Sequence, residues 1–264
     1  MKRPRARGTG QIPAGKFPFP EVIIFDVDGV LVSVEESFLR TAIETVEFFT
    51  GKRLTLKQIH AWKNRPGYND DWKLSHVLVK RLGGKESYEE VKAKFQEIYW
   101  GVKEPGNVRH ERWLLEKPAL RRLKARAEVA IFTGRTRQEL DHTLDGLKLR
   151  KYFDRIVTAE DVKKGKPDPE GLRIILGKPE TGKAIYVGDN VDDARAAKAA
   201  GIRFVGLLPY RSEARRLRLG RLESNGALVV LGEVRELEGW LEKRSKGLAR
   251  SRARKLTNTS ERSS

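Results

Sequence analysis

The sequence predicts an α/β protein, a parallel sheet with helices on both faces and a separate helical insertion after the first strand. Three observations lead there. Short apolar runs of strand length alternate with amphipathic stretches of helix length. The runs are apolar almost throughout, as in strands covered on both sides. One interval of about a hundred residues, between the first strand and Glu128, breaks the rhythm with helical patterns and no convincing strand.

Strands are predicted at Val22–Phe25, Glu128–Phe132, Arg155–Val157, Ala184–Val187, Arg203–Leu207 and Ala227–Val230. Helices are predicted at Thr136–Leu147, Pro169–Leu176, Asp192–Ala200, Glu213–Leu222 and Glu233–Trp240. Within the insertion, helical patterns cover Glu35–Phe49, Leu56–Trp62, Asp70–Leu82 and Tyr88–Trp100. Gly51, Pro66–Gly67, Gly83–Gly84 and Pro105–Gly106 separate them. The cluster Arg211–Arg221 reads as the solvated face of a helix whose apolar side includes Ala214, Leu217 and Leu222. The expected domains are a flexible basic leader over 1–20, a core over 21–32 and 107–242, a helical insertion over 33–106, and a disordered basic tail over 243–264.

Composition narrows the possible functions. With 264 residues, 39% apolar, the chain has enough material for a real core, which excludes disorder throughout. No run approaches the ~18 apolar residues of a membrane helix. The basic start MKRPRARGTG is followed by no apolar segment, so no secretory signal is expected. A chain without cysteine has no disulfide, thiolate nucleophile or cysteine-ligated zinc, and a cytoplasmic location is expected. The net charge is +18, and +11 of it lies in residues 1–16 and 241–264. Basic arms can bind nucleic acid without sequence preference. No nucleic-acid motif accompanies these, and few aromatic residues interleave with them, so solubilising tails are the preferred reading.

Four segments carry candidate chemistry. The first strand runs into Asp26-Val27-Asp28-Gly29, where residues two apart point to one side and glycine permits a tight turn. Two carboxylates held so close demand a cation. Glu128–Phe132 runs into Thr133-Gly134-Arg135, a hydroxyl and backbone N–H groups suited to a phosphate oxygen. Gly165-Lys166-Pro167-Asp168-Pro169 presents a lysine from a stiffened turn before a helix. Ala184–Val187 runs into Gly188-Asp189-Asn190-Val191-Asp192-Asp193, an acidic strand end fit for a hard cation or for capping the next helix. Each segment alone is equally an ordinary turn or cap; together, in this order and on these elements, they are not.

The four together resemble the haloacid dehalogenase superfamily, whose motifs match Asp26-x-Asp28, Thr133, Lys166 and Gly188-Asp189-x-x-x-Asp193. The resemblance covers residues 21–240 and implies a Rossmann-like sheet with an inserted α-helical cap of the C1 type, as in subfamily I. It implies Asp26 as nucleophile and Asp28 as general acid and base. Thr133 and Lys166 would bind the transferring phosphoryl group. Mg2+ would be held by Asp26, the backbone carbonyl of Asp28, and Asp189, with Asp193 in support. A carboxylate at Asp28 favours phosphate esters over halides. Asp26 and Thr133 are 107 positions apart, and Thr133 and Lys166 only 33, so the cap occupies the first slot. Caps there close over small substrates and exclude water, implying a small phosphorylated metabolite.

Within the cap, Phe49-Thr50-Gly51, Lys63 to Trp72, and Phe95 to Gly101 look like an uncharacterised branch, some of whose members are fused to histidine-biosynthesis enzymes. Histidinol phosphate therefore joins the substrates to test. The Gly67–Trp72 turn is the candidate substrate loop, with Lys63, Arg65, Asn69 and Trp72 as contacts, while Trp62, Tyr68 and Trp72 also read as cap core. Gly134 and Arg135 are further substrate-binding candidates, Arg135 facing the cap, the substrate or a surface acid. Asn190 departs from the usual Ser or Thr, and the adjacent Asp192 and Asp193 leave open which supports the metal. The expectation is a Mg2+-dependent phosphatase. A sugar phosphomutase uses the same motifs and remains the alternative, as does a nucleic-acid-associated phosphatase working through its tails.

Overall fold

The computed structural model describes residues 17–63, 65, 67–68, 70–177, 181–210 and 215–246. The described residues divide into two compact units, one of Pro20–Glu238 and one of 17–19 with 239–246. In the larger unit the strands are β1 (Val22–Phe25), β2 (Val32–Ser33), β3 (Arg112–Trp113), β4 (Glu128–Phe132), β5 (Arg155–Val157), β6 (Ala184–Gly188), β7 (Arg203–Leu207) and β8 (Ala227–Leu231). Its α-helices are α1 (Arg40–Thr50), α2 (Leu56–Lys63), α3 (Asp71–Arg81), α4 (Tyr88–Trp100), α5 (Lys117–Lys124), α6 (Arg137–Gly146), α7 (Glu170–Leu176), α8 (Val191–Ala200) and α9 (Arg215–Ser224).

Six strands form one parallel sheet in the order β5-β4-β1-β6-β7-β8. The chain leaves β1 for β4 and β5 on one side, then returns to lay down β6, β7 and β8 on the other. This reversal puts the carboxyl ends of β1, β4 and β6 side by side, where ligands bind in open α/β sheets. Ile24, Ala130, Phe132, Tyr186 and Phe204 share one face, packed with Leu172 and Ile175 of α7 and Ala194 and Ala197 of α8. The alternate positions Ile23, Phe25, Val129 and Ile131 are buried too. Helix α5 packs against β4. Covered on both faces, the strands read as unbroken apolar runs.

Helices α1 to α4 lie between β2 and β3 in the chain and have their own apolar centre. Leu39, Ile43 and Val46 meet Ile59, Leu74, Leu78 and Val91. A second cluster joins Phe38, Ala42, Phe95, Tyr99 and Val108. Helix starts are set by local chemistry. Asp70 accepts hydrogen bonds from the N–H groups of Trp72 and Lys73 at α3, and Ser87 with Glu90 makes a reciprocal cap at α4. Thr136 and Glu139 do the same at α6.

Several expectations need correction. The interval read as strand-free contains β2 and β3, a two-residue antiparallel pair flanking the helical insertion. Two residues are too few to show a period. Helix α5 was not predicted; Pro118 in its first turn is a start signal, but the basic run around it masks the apolar stripe Ala119, Leu120 and Leu123. The Arg-rich helix buries Leu222, whereas Leu217 is 55% exposed. Five positions of a helix turn through about 140°, so the two cannot share a face. Ala214 lies outside the described residues. In the smaller unit, Phe17 is buried and its ring is 5.7 Å from that of Trp240. Helix continues to residue 246. Residues 1–16 and 247–264, which hold most of the expected leader and tail, lie outside the described residues. No helix among the described residues is long and apolar enough to cross a membrane.

A Cβ at Gly171, on α7, would come within 2.1 Å of the Phe132 ring. Overpacking of this kind costs about 1–3 kcal/mol. Gly171→Val is therefore expected to lower the melting temperature measured by circular dichroism. An unchanged value would mean that the sheet face yields freely at Phe132.

Candidate active site

The site begins where β1 ends. The Asp26 N–H continues the ladder to the Val187 carbonyl at 2.9 Å, and the chain then turns back on itself, with the Gly29 N–H donating to the Val32 carbonyl at 2.9 Å. Gly29 has φ +73°, and a Cβ there would lie 2.5 Å from Asp189 Oδ2. Only glycine lets this turn lie against the end of β6.

Lys166 binds the floor of the cleft together. Its ammonium is 2.8 Å from Asp26 Oδ2 and 2.8 Å from Asp193 Oδ1, and all three side chains are almost wholly buried. It also donates to the Tyr186 hydroxyl at 3.1 Å. That hydroxyl lies 2.9 Å from Asp193 Oδ1 and 3.2 Å from the Phe132 carbonyl. Burial pushes the Asp26 carboxyl well above the usual carboxylate range; Lys166 opposes this, and Asp193 and Asp28 add to it. Burial works against the Lys166 charge, but Asp193 and Asp26 outweigh it and hold the ammonium above its ordinary value.

Oxygens of Asp26, Asp189 and Asp193 lie within 4.8 Å of one another, a donor set of hard oxygens suited to a divalent cation. Burial, opposed by Arg218 and reinforced by Asp193, raises the Asp189 carboxyl above its usual range. The cluster is thus short of positive charge even with Lys166 in place. Asn190, which departs from the usual Ser or Thr, caps α8 by accepting from the N–H groups of Asp192 and Asp193. Asp193 in return accepts from the N–H groups of Asp189 and Asn190 at 3.1 and 3.2 Å. The adjacent Asp192 faces elsewhere, towards the Gly67 N–H of the insertion. Of the two, the structure brings Asp193 into the cluster.

Thr133 ends β4 and is buried, its Oγ1 accepting from the Arg135 N–H at 3.2 Å. Gly134 beside it is exposed. Arg135, a substrate-binding candidate, is turned inward and is 2% exposed. Its five N–H groups are matched by five hydrogen bonds: two to Asp28 Oδ1 at 2.7 and 2.9 Å, two to Glu111 at 2.7 and 3.1 Å, and one to Thr143 Oγ1 at 2.9 Å. In this arrangement no donor is left for a substrate. The Asp28 carboxylate is held by this arginine, outside the Asp26–Asp189–Asp193 cluster.

The insertion sends Lys63 towards the site. Its ammonium pairs with Asp71 at 2.8 Å and lies close enough to Asp28 and Asp189 to be raised by them, against the opposing effect of burial. Arg65 stacks instead on Trp62, 4.1 Å from the ring centre. Asn69 lies outside the described residues. Trp62 and Tyr68 pack on one apolar cluster of the insertion and Trp72 on the other, as expected of core aromatics.

Sequence reasoning missed Tyr186, Glu111, Tyr99 and Arg218. Tyr186 hides in an apolar strand, and its polar tip in the run Ala184–Val187 was the available signal. Arg218 on α9 reaches Asp189 Oδ2 at 3.4 Å. Nothing local marks it or Glu111, because only the tertiary fold brings them there.

Asp189→Asn removes one of three crowded carboxylates. In cation-free buffer it is expected to raise the melting temperature by about 2–4 °C, the equivalent of ~1 kcal/mol in a chain of this size. Millimolar Mg2+ is expected to raise the melting temperature of the wild type and to leave that of the variant unchanged. A lower cation-free melting temperature would mean that pairing with Arg218 outweighs the repulsion.

Comparison with known proteins agrees with this geometry. The family model described as haloacid dehalogenase-like hydrolase matches residues 23–207. An imidazoleglycerol-phosphate dehydratase from Phytophthora nicotianae is 32% identical over 82% of this chain, which spans only 52% of that protein. A phosphoglycolate phosphatase from Pseudomonas savastanoi is 28% identical over 84% of this chain and 80% of its own length. A crystal structure from Thermotoga maritima, provisionally assigned as a beta-phosphoglucomutase, superposes with a TM-score of 0.62 at 26% identity, covering 84% of this chain and 99% of that one. With all four motif segments gathered at one end of the sheet and most of the chain matched, the protein belongs to the haloacid dehalogenase-like hydrolases.

Proposed function

We propose that the chain is a Mg2+-dependent phosphatase that hydrolyses a small phosphorylated metabolite through an aspartyl-phosphate. The observation that carries this reading is the Lys166 ammonium 2.8 Å from both Asp26 and Asp193 at the carboxyl end of β1, with Asp189 in the same cluster. Phosphoryl transfer needs alignment and charge neutralisation above all, and this cluster supplies a buried nucleophile beside a fixed positive charge.

In the proposed sequence an Asp26 oxygen attacks phosphorus in line. The ester P–O bond breaks, and Asp28 gives its proton to the departing oxygen. Water then attacks phosphorus and passes a proton to Asp28. The bond between phosphorus and Asp26 breaks, releasing inorganic phosphate and restoring the carboxylate. Thr133 Oγ1 and the Gly134 N–H hold phosphoryl oxygens, while Lys166 balances the charge of Asp26. Mg2+, held by Asp26, Asp189 and the Asp28 carbonyl with Asp193 in support, would supply the remaining positive charge against which phosphate and carboxylates can approach. Helices α1 to α4 act as a cap that shields the site from water, and Lys63 faces the substrate from that side. Gly134 belongs to the proposed substrate-facing surface. The same reading locates the enzyme in the cytoplasm.

A second reading, a sugar phosphomutase, rests on the likeness to the Thermotoga maritima structure. The two differ in whether water or a second sugar hydroxyl takes the phosphoryl group.

The test is phosphate release from a panel including histidinol phosphate, phosphoglycolate and hexose phosphates, with Mg2+ or with EDTA. Release from at least one compound is expected, abolished by EDTA and reduced at least 10³-fold in Asp26→Asn. Interconversion of hexose phosphates without net phosphate release would establish the mutase instead. Release that survives Asp26→Asn would overturn both.

A further inference from the structure

Both connections of the helical insertion converge on Arg135. Phe38, on the way in, lies under the guanidinium with its ring centre 5.0 Å from Cζ. Glu111, on the way out, takes two of its hydrogen bonds, at 2.7 and 3.1 Å. Thr143 of α6 accepts from Arg135 and donates to Glu111 Oε2 at 2.8 Å. Tyr99 of α4 donates its hydroxyl to Glu111 Oε1 at 2.7 Å, and its ring stacks on Phe38 with centres 4.5 Å apart. At the far end of the chain, Arg135 grips Asp28 Oδ1 with two donors.

An arginine buried between two carboxylates is a costly way to fill space. Apolar residues of similar volume hold a core at least as well. What the ionic arrangement adds is direction: a planar guanidinium with every donor used can sit in only one pose, and so fixes the carboxylate at its open end. Asp28, with 32% of its side chain exposed, is that open end. Glu111 and Tyr99 are buried behind it and touch neither Asp26 nor Lys166.

We infer that Glu111 and Tyr99 are positioning residues for Asp28, acting through Arg135, so that the helical insertion sets the aim of the acid. The inference rests on the proposed role of Asp28 as proton donor to the leaving oxygen. The relay runs Tyr99 to Glu111 to Arg135 to Asp28, and each link holds the next in one orientation. A shift of about 1 Å in a reacting group can cost 10²-fold in rate, so loosening a remote link is felt at the acid.

The test uses three probes that differ in how much their leaving group needs a proton: p-nitrophenyl, phenyl and benzyl phosphate, in rising order. Turnover with Mg2+ is measured for the full-length wild type, Asp28→Asn, Glu111→Gln and Tyr99→Phe. For benzyl phosphate, kcat/KM, which reports only the steps up to release of the alcohol, is expected to fall about 10-fold in Glu111→Gln and about 3-fold in Tyr99→Phe, with p-nitrophenyl phosphate within twofold. Asp28→Asn should show the same selectivity more steeply. Equal losses on all three probes, or none, in both Glu111→Gln and Tyr99→Phe would overturn the inference while leaving Asp28 as the acid. A flat Asp28→Asn profile would remove the acid role and this inference with it. Tyr99→Phe keeps the ring on Phe38, so its result stands even if Glu111→Gln folds poorly.

Discussion

A single ammonium group makes the cleft possible. Without Lys166, Asp26 at the end of β1 and Asp193 in the first turn of α8 would be two buried carboxylates facing each other, an arrangement that would drive one of them to protonate. The fold is arranged to deliver that lysine. The strand order places β1 beside β6, so that Asp26 and Asp189 extend adjacent strands. Tyr186, on β6, supports both lysine and carboxylate from below through one hydroxyl. Asn190 caps α8, whose first turn directs Asp193 into the cluster and Asp192 towards Gly67. Each of these features converges on one cluster of three carboxylates gathered around a single ammonium.

The sheet and the four motif segments were legible from sequence because their causes are local. Strands covered on both faces are continuous apolar runs, and all six sheet strands stand where those runs fall, with β6 and β8 each one residue longer. Chemistry at strand ends declares itself through short, spaced polar residues such as Asp26-x-Asp28. The unread features arise from distance. The β2–β3 pair joins residues about eighty positions apart, and nothing in Val32–Ser33 foretells Arg112–Trp113. Arg135 shows the difference most clearly: beside Thr133 it reads as a phosphate contact, and only the fold reveals that Asp28, Glu111 and Thr143 already use its donors. The register of Leu217 was misjudged for another reason. In a stretch as arginine-rich as 211–221, too few apolar residues remain to define a stripe.

The helical insertion and the sheet are joined by different kinds of contact. Each has its own apolar centre, Ile43 and Leu78 in one and Phe132 and Tyr186 in the other. Between them the named contacts are largely polar or aromatic: Glu111 with Arg135, Gln96 with Glu139, and Trp100 edge-on to His142 at 5.2 Å. Polar contacts are directional and exchange readily with water, whereas apolar burial is not directional. A boundary of this sort holds orientation more firmly than it holds adhesion.

The small β2–β3 ladder has a consequence for how such a chain can change over evolutionary time. Because Val32–Ser33 and Arg112–Trp113 lie side by side, the segment between them starts and finishes at one doorstep. Whatever is spliced in there leaves the main sheet's pairing and order untouched, since its two ends need only meet across a few ångströms. The lineage is thereby free to exchange the inserted helices while inheriting the sheet and the residues at its carboxyl end. New helical layers can be acquired by replacement at a single address, without rebuilding the carboxylate cluster.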